Sequence, residues 1–502
     1  KDISFFGFPN HYEGVLVLLS YVFLMFMTIN VITQEKHIRW LLNALFISAA
    51  VICTIGFFQF FGLDFFKSDL GRFFMLLSNY DKAKGLKFNF GNNRIYTTLF
   101  NPNYVGSYVA MLLPISFSTF IYHKDKFKKI IVGLLCCLLF FSLTGAASRA
   151  GIVGVFIALI IVIVFLWKLV LENWRGILVL FISFIIIYTG MYYYPRTNTM
   201  NKQVSQQAYV QNQVINDENE DIISTNTGNN RIEDVIFSGN AVTIATMYNP
   251  ITVTWKDHGV SFTDDNGNAL EADVKTQKDI IMFNFKDNRY KEYIFFYDRT
   301  NKVLAFRYLH YRIHFTLTGK GVKLIKQNQI LDIVPINKLD VRGLEHLGSG
   351  RVYIWSRSIP ILKETIVLGK GPDTYPIYFP QNDHIGKIIG LGSVMSFVGK
   401  PHNMYLQIGI NTGVISLLAF LSLLGMYFIS STKLYFRYNI NRIYPSFGLG
   451  VFAAIVGYTI SGVFNDSVVS VAPVFWILFG LGICINQRLK DGDSSISRKR
   501  IK

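Results

Sequence analysis

The chain has 502 residues, of which 51% are hydrophobic and only 16% charged, and it carries a net charge of +17. Its apolar residues gather into runs that approach the ~20 residues a helix needs to cross a bilayer, which excludes an ordinary soluble enzyme. An excess of cations serves either nucleic acid or a membrane surface, and their placement decides between the two.

In chain order, apolar runs fall at 15–32, 41–63, 104–122, 130–147, 152–167 and 176–194. After a long polar insert they resume at 404–429, 446–464 and 468–485. That makes about nine spans by length and hydropathy. Lys1 rather than Met opens the sequence, so a signal or earlier spans are expected upstream. Segments 34–40, 122–129, 168–175, 432–445 and 486–502 carry 17 Lys/Arg against 5 Asp/Glu. The positive-inside rule places them in the cytoplasm. Alternation then puts loop 64–103, the turn at Arg149, the insert 195–403 and the N-terminal stub outside. The charge is a topology signal, and no nucleic-acid partner is needed to explain it.

The four cysteines, Cys53, Cys136, Cys137 and Cys484, all lie in apolar runs, so no disulfide framework or C-x-x-C site is expected in the polar insert. Residues 197–230 are rich in Asn and Gln and read as a linker or weak helix. From 231 to 334 polar and apolar residues alternate between turn signals such as Asp-Asn-Gly and Gly-Lys-Gly. This pattern predicts a meander of short antiparallel strands, a small sandwich or barrel. The expected fold is a mainly α-helical polytopic membrane protein with an inserted extracytoplasmic all-β domain. Its expected divisions are membrane helices over 1–195, linker and β-rich domain over 196–345, an extracytoplasmic catalytic loop with an amphipathic helix over 346–403, and membrane helices with a basic tail over 404–502.

The sequence contains no close carboxylate pair, Gly-rich phosphate loop, Ser/His/Asp signature or metal-ligand spacing. Any chemistry is therefore expected to be cation-assisted, with no metal and no cofactor. Arg149 lies in LTGAASRAGIVG, where small residues let backbones approach closely. It reads either as an interfacial arginine that snorkels to headgroups or as a functional cation on the outer face. Arg351 and Arg357 sit on an amphipathic segment with Val352, Ile354, Trp355 and Ile359. That segment suits a membrane-surface helix, and its guanidinium groups suit bidentate phosphate binding. Trp355 on that segment is expected at the bilayer edge. His402 and Asn403 stand at the mouth of a span, where the imidazole is either a structural hydrogen-bonder or a proton acceptor for transfer to a hydroxyl. Arg94, Asn101 and Asn103 precede another span on the same side, and the Asn-Pro-Asn is most simply a turn and helix start. Glu13 is a further external carboxylate.

The pieces TLFNPNYVGSYVAMLLP (98–114), TGAASRAG (144–151), GSGRVYIW through LGKGP (348–372) and KPHNMYLQIGINTGVISLLAF (400–420) resemble the O-antigen ligase and Wzy-type polymerase superfamily of bacterial membrane glycosyltransferases. The opening FGFPNHYEG resembles its Gram-positive members. The resemblance implies an undecaprenyl-diphosphate-linked glycan donor and transfer, outside the cell membrane, to a hydroxyl on a glycan, cell-wall or protein acceptor. It implies Arg149, Arg351 and His402 as the essential residues. Two departures are the span count, since members usually have about twelve, and an insert larger than the usual external loop. A peptidoglycan-type polymerase on the same carrier is the alternative enzyme. It would depend on Glu13 or Asp373 and a divalent metal. A transporter or sensor is the non-enzyme alternative, disfavoured by spans nearly free of charge.

Overall fold

The computed structural model describes residues 2–75, 93–206, 232–246, 249–256, 259–308, 311–326, 329–331, 333–394, 396–437 and 443–500. Most of the expected linker 197–230 lies outside them. The described chain divides into two compact units. The first comprises 1–213, 367–374 and 402–502, and the second 214–366 and 375–401.

The first unit is helical. Among the described residues, six helices are long and apolar enough to cross a membrane: Glu35–Phe60, Pro102–Tyr122, Lys126–Ala146, Trp174–Tyr194, Val414–Arg437 and Ala472–Asp491. Of the about nine spans expected, six are helices of spanning length among the described residues. Val15–Val31, Arg149–Phe165 and Ser446–Ser461 are apolar but shorter. The expected span over 404–429 is broken at Gly413, where φ is +107°. Helix Met404–Thr412 ends there and Val414–Arg437 begins. The carbonyls freed by the break are not left bare. Ile410 O accepts from Lys370 N at 2.8 Å and Asn411 O from Gly371 N at 3.0 Å. Gly369 permits that approach, since a Cβ there would lie 2.2 Å from Asn411 O.

Pro102–Tyr122 is the central helix of this unit, buried along nearly its whole length. Its neighbours close on it at small residues. A Cβ on Gly151 would lie 2.5 Å from Gly106 Cα, and one on Gly154 2.4 Å from Gly457 O. In lipid, where apolar burial drives helix association weakly, such close backbone contact supplies the packing.

The second unit carries the β region, residues 232–331. Strands β1 (Ile232–Ser238), β2 (Ala241–Thr246), β3 (Ile251–Lys256) and β4 (Gly259–Thr263) form one antiparallel meander. Strands β5 (Ala272–Gln277), β6 (Ile280–Phe285), β7 (Ile294–Asp298), β8 (Val303–Tyr308), β9 (Tyr311–Thr318), β10 (Gly321–Lys326) and β11 (Gln329–Leu331) form a second. Alternation sends Val242, Ile244, Val253 and Trp255 from the first sheet into the same core as Phe295, Phe306 and Phe315 from the second. The result is a sandwich with one shared core, as the periodicity predicts. Ile388, on helix His384–Leu391, also enters that core.

Candidate active site

In the first unit, three helix N-termini meet, two of them tied by the turn Ser461 to Asp466. Asn101 caps Pro102–Tyr122, its Oδ1 accepting from Asn103 N at 2.8 Å. Ser148 caps Arg149–Phe165, its Oγ accepting from Gly151 N at 3.3 Å. Asn403 caps Met404–Thr412, its Oδ1 accepting from Tyr405 N and Leu406 N, both at 2.9 Å. The turn then ties the ends capped by Asn101 and Asn403. Asn465 Nδ2 donates to Ser107 Oγ at 2.9 Å and to Asn103 O at 3.3 Å. Met404 N donates to Gly462 O at 2.8 Å, and Asn403 Nδ2 to Val463 O at 2.8 Å. The Gly106–Gly151 contact brings in the third end.

Two side chains of this end matter chemically. Arg149 is the first residue of its helix and is exposed. A cation at the positive end of a helix dipole is unfavourable by itself, whereas an anion placed there is stabilised by dipole and guanidinium together. His402 has a left-handed backbone, φ +50°, and its Nδ1 lies 2.9 Å from Asp466 Oδ2. The Asp466 side chain is 2% exposed and the His402 side chain 47% exposed. A carboxylate on Nδ1 fixes the proton there and leaves Nε2 as the acceptor. Asp466 was not foreseen from the sequence. The only signal was an acid in the short turn between the last two apolar runs.

Arg94 is half-buried beside this end, because Ile95 N donates to Gly145 O at 3.1 Å, four residues before Arg149. Its Nε has no hydrogen-bond partner among the described residues. Asn101, Asn103 and Asn403 are engaged as caps or cap partners.

In the second unit, Arg351 begins the regular part of helix Leu347–Ser358, after three left-handed residues, Gly348, Ser349 and Gly350. Arg351 Nη1 donates to Gly348 O at 3.0 Å. Trp355 Nε1 donates to Pro401 O at 2.9 Å, so the indole ties this helix to the residue preceding His402 in the chain. Arg357 is buried. Its Nε donates to Asp383 Oδ2 at 2.8 Å, its Nη1 to Ser356 Oγ at 2.8 Å, and it lies 4.5 Å over the Tyr353 ring. Burial, then the Asp383 charge, pushes the Tyr353 phenol up. This face of the expected amphipathic helix packs against His384–Leu391, where a Cβ on Gly390 would lie 2.4 Å from Tyr353 Cβ.

Residues 296–421 match the O-antigen ligase family. The O-antigen ligase match takes in Arg351, Trp355, Arg357, His402 and Asn403, and covers about a quarter of the chain. It supports the O-antigen ligase/Wzy-type superfamily that the motifs resemble, and an O-antigen ligase-like, glycosyl-transferring membrane enzyme. No curated protein and no solved structure matches.

The carboxylates of the alternative enzyme, Glu13 and Asp373, are both buried in the first unit. Glu13 accepts from Tyr21 Oη at 3.1 Å, Gln407 Nε2 at 3.0 Å and Ser467 Oγ at 3.0 Å. Asp373 accepts from Phe8 N at 2.7 Å and Glu13 N at 3.1 Å, and lies 3.2 Å from His11 Nδ1. Together they pin the N-terminal segment to the 367–374 loop and to helix Met404–Thr412.

Proposed function

We propose that the protein transfers or polymerises a glycan carried on undecaprenyl diphosphate, at the outer face of the cell membrane. The observation that carries this reading is the meeting of three helix N-termini at one end, with Arg149 on one of them and the His402–Asp466 pair beside another. Arg149 and Arg351 are the cations that bind the diphosphate and stabilise its charge as it leaves. Asp466 holds His402 so that Nε2 takes the proton of the acceptor hydroxyl. That oxygen attacks the anomeric carbon, the bond from this carbon to the phosphate oxygen breaks, and the electron pair leaves on the diphosphate. A diphosphate leaving group needs no general acid. Arg94 is a further cation for the donor, and Arg357, bound to Asp383, serves by holding its helix in place. The Lys/Arg asymmetry of the loops supports an outer-face site and a cytoplasmic C-terminus.

The test is transfer by the purified protein in nanodiscs with a labelled undecaprenyl-diphosphate oligosaccharide. Free undecaprenyl diphosphate with longer lipid-linked chains means polymerisation. Its release with glycan on a wall, lipid or protein acceptor means ligation. No release with any donor from a folded preparation overturns the reading. A chelator is expected to leave turnover unchanged, and its abolition would favour the peptidoglycan-type alternative.

A further inference from the structure

The second unit holds a cleft of about 580 Å³, within the ~300–1,000 Å³ range of small-ligand sites. The edge strand β1 contributes Glu233 and Asp234 to its lining, and the stretch 333–343 contributes Ile333, Val334, Lys338 and Arg342. Glu345, Arg357, Asp383 and His384 also line it.

Glu345 determines what this cleft is built for. Its residue is only 5% exposed, yet Oε2 has no hydrogen-bond partner among the described residues. Burying a polar group without a partner costs free energy that a fold ordinarily avoids, so a ligand donor is the natural complement. His384 Nδ1, in the same lining, is also buried without a partner. Burial, then Lys387 and Lys326, holds the His384 pKa below its ordinary value, so the neutral ring presents Nδ1 as donor or acceptor. Asp383 is not available in the same way, because Arg357 occupies it.

The surrounding charge narrows the ligand further. A small cation would meet Lys338 and Arg342, and an anion would meet Glu345 and Glu233. A neutral hydroxyl both donates and accepts, and satisfies both kinds of wall. Ile333, Val334, Ile385 and Ile389 supply apolar surface for the C–H face of a sugar ring. A peptide added to β1 fits less well. That edge has a register shift between Ile232 and Asp234, and Asp234 Oδ1 accepts from Val235 N at 2.8 Å. Bulges and edge charges discourage strand addition.

We propose that this cleft binds a hydroxyl-bearing stretch of the glycan, with Glu345 Oε2 accepting a hydrogen bond from a sugar hydroxyl and His384 Nδ1 making a second. The inference rests on the glycosyl-transfer reading for the identity of the ligand, and it assigns that ligand a holding site made of residues other than those given the chemistry.

The experiment presents the full-length protein in nanodiscs to an array of short lipid-free bacterial oligosaccharides and to the undecaprenyl-diphosphate-linked form. Hydrogen exchange is then measured with the best binder. The expected result is protection of 333–345 and 383–389, with binding weakened about tenfold or more by Glu345→Ala. Glu345→Ala removes an unpaired buried carboxylate and so melts no lower than wild type, which separates lost binding from unfolding. Glu345→Gln keeps the shape and is expected to bind more weakly than wild type. Binding of lipid-free glycan marks an acceptor site, and binding of the lipid-linked form alone marks a site for the growing chain. No binder of either form, protection elsewhere, unchanged affinity in Glu345→Ala, or protection of the cleft by a peptide array instead would overturn the inference. Turnover without cleft binding removes this inference alone, whereas cleft binding without turnover removes the transfer reading alone.

Discussion

Replacing Asp466 by Asn tests the His402–Asp466 pair most directly. The substitution keeps size and shape but removes the charge that fixes the Nδ1 proton of His402 at 2.9 Å. A hydrogen bond to a charged group contributes ~1.5–3 kcal/mol. If all of it is used to hold the ring in its productive tautomer, transfer falls about 10- to 150-fold. His402→Ala removes the base itself and is expected to cost about 100- to 10,000-fold. The assay is single-turnover release of undecaprenyl diphosphate in nanodiscs across a pH series, with melting temperatures recorded in parallel. Because Asp466 acts through His402, Asp466→Asn should add almost nothing in a His402→Ala background. The pH profile of Asp466→Asn should also differ in shape from wild type, which a merely structural defect would not produce. Full additivity of the two substitutions, or wild-type turnover in Asp466→Asn, would refute the reasoning.

Four further outcomes are expected. Arg149→Ala should abolish transfer yet raise stability slightly, by ~0.3–1 kcal/mol, because it removes a cation from a helix N-terminus; a melt and a transfer assay on one preparation check both signs. Arg357→Ala should cost about 3–5 kcal/mol by leaving Asp383 charged and uncompensated, and a double replacement of Arg357 and Asp383 by Leu should recover most of it in thermal unfolding. Gly151→Ala should cost about 1–3 kcal/mol and reduce transfer, since its Cβ would sit 2.5 Å from Gly106 Cα; an unchanged melt would show that these helices can part freely. Lys387 is pushed down from 10.5 to about 8 by burial, then by Lys326. Its folded state therefore binds its proton less well than the unfolded chain, and its contribution to stability should rise from about pH 8 to 10.5. Lys387→Met should melt above wild type at pH 7, with the gap closing above that window.

Much of this protein is visible in one dimension because a bilayer and a sheet each impose a simple period. Apolar runs long enough for a membrane mark the helices, the 17 Lys/Arg on alternate loops suggest their orientation, and strict alternation over 231–334 marks the strands. The helix start at Asn101 was equally legible from its Asn-Pro-Asn. Asn101, Ser148 and Asn403 are caps, a role their own side chains and the following amides decide.

What the sequence could not decide depends on groups distant along the chain. Gly413 looks like any glycine in an apolar run until the 367–374 segment, some forty residues earlier, satisfies the carbonyls that its break exposes. Arg357 and Arg351 look alike as cations on one segment, yet Asp383 buries the first in an ion pair. Glu13 and Asp373 look like free acids, yet their oxygens are taken up by Tyr21, Gln407 and Ser467 and by the amides of Phe8 and Glu13. Asp466 had no motif to announce it, because a carboxylate becomes a partner for His402 only when folding brings positions 64 residues apart to 2.9 Å. Periodicity and capping act over a few residues and are written locally; hydrogen-bond satisfaction of a buried charge is a three-dimensional condition, and only the tertiary structure meets it.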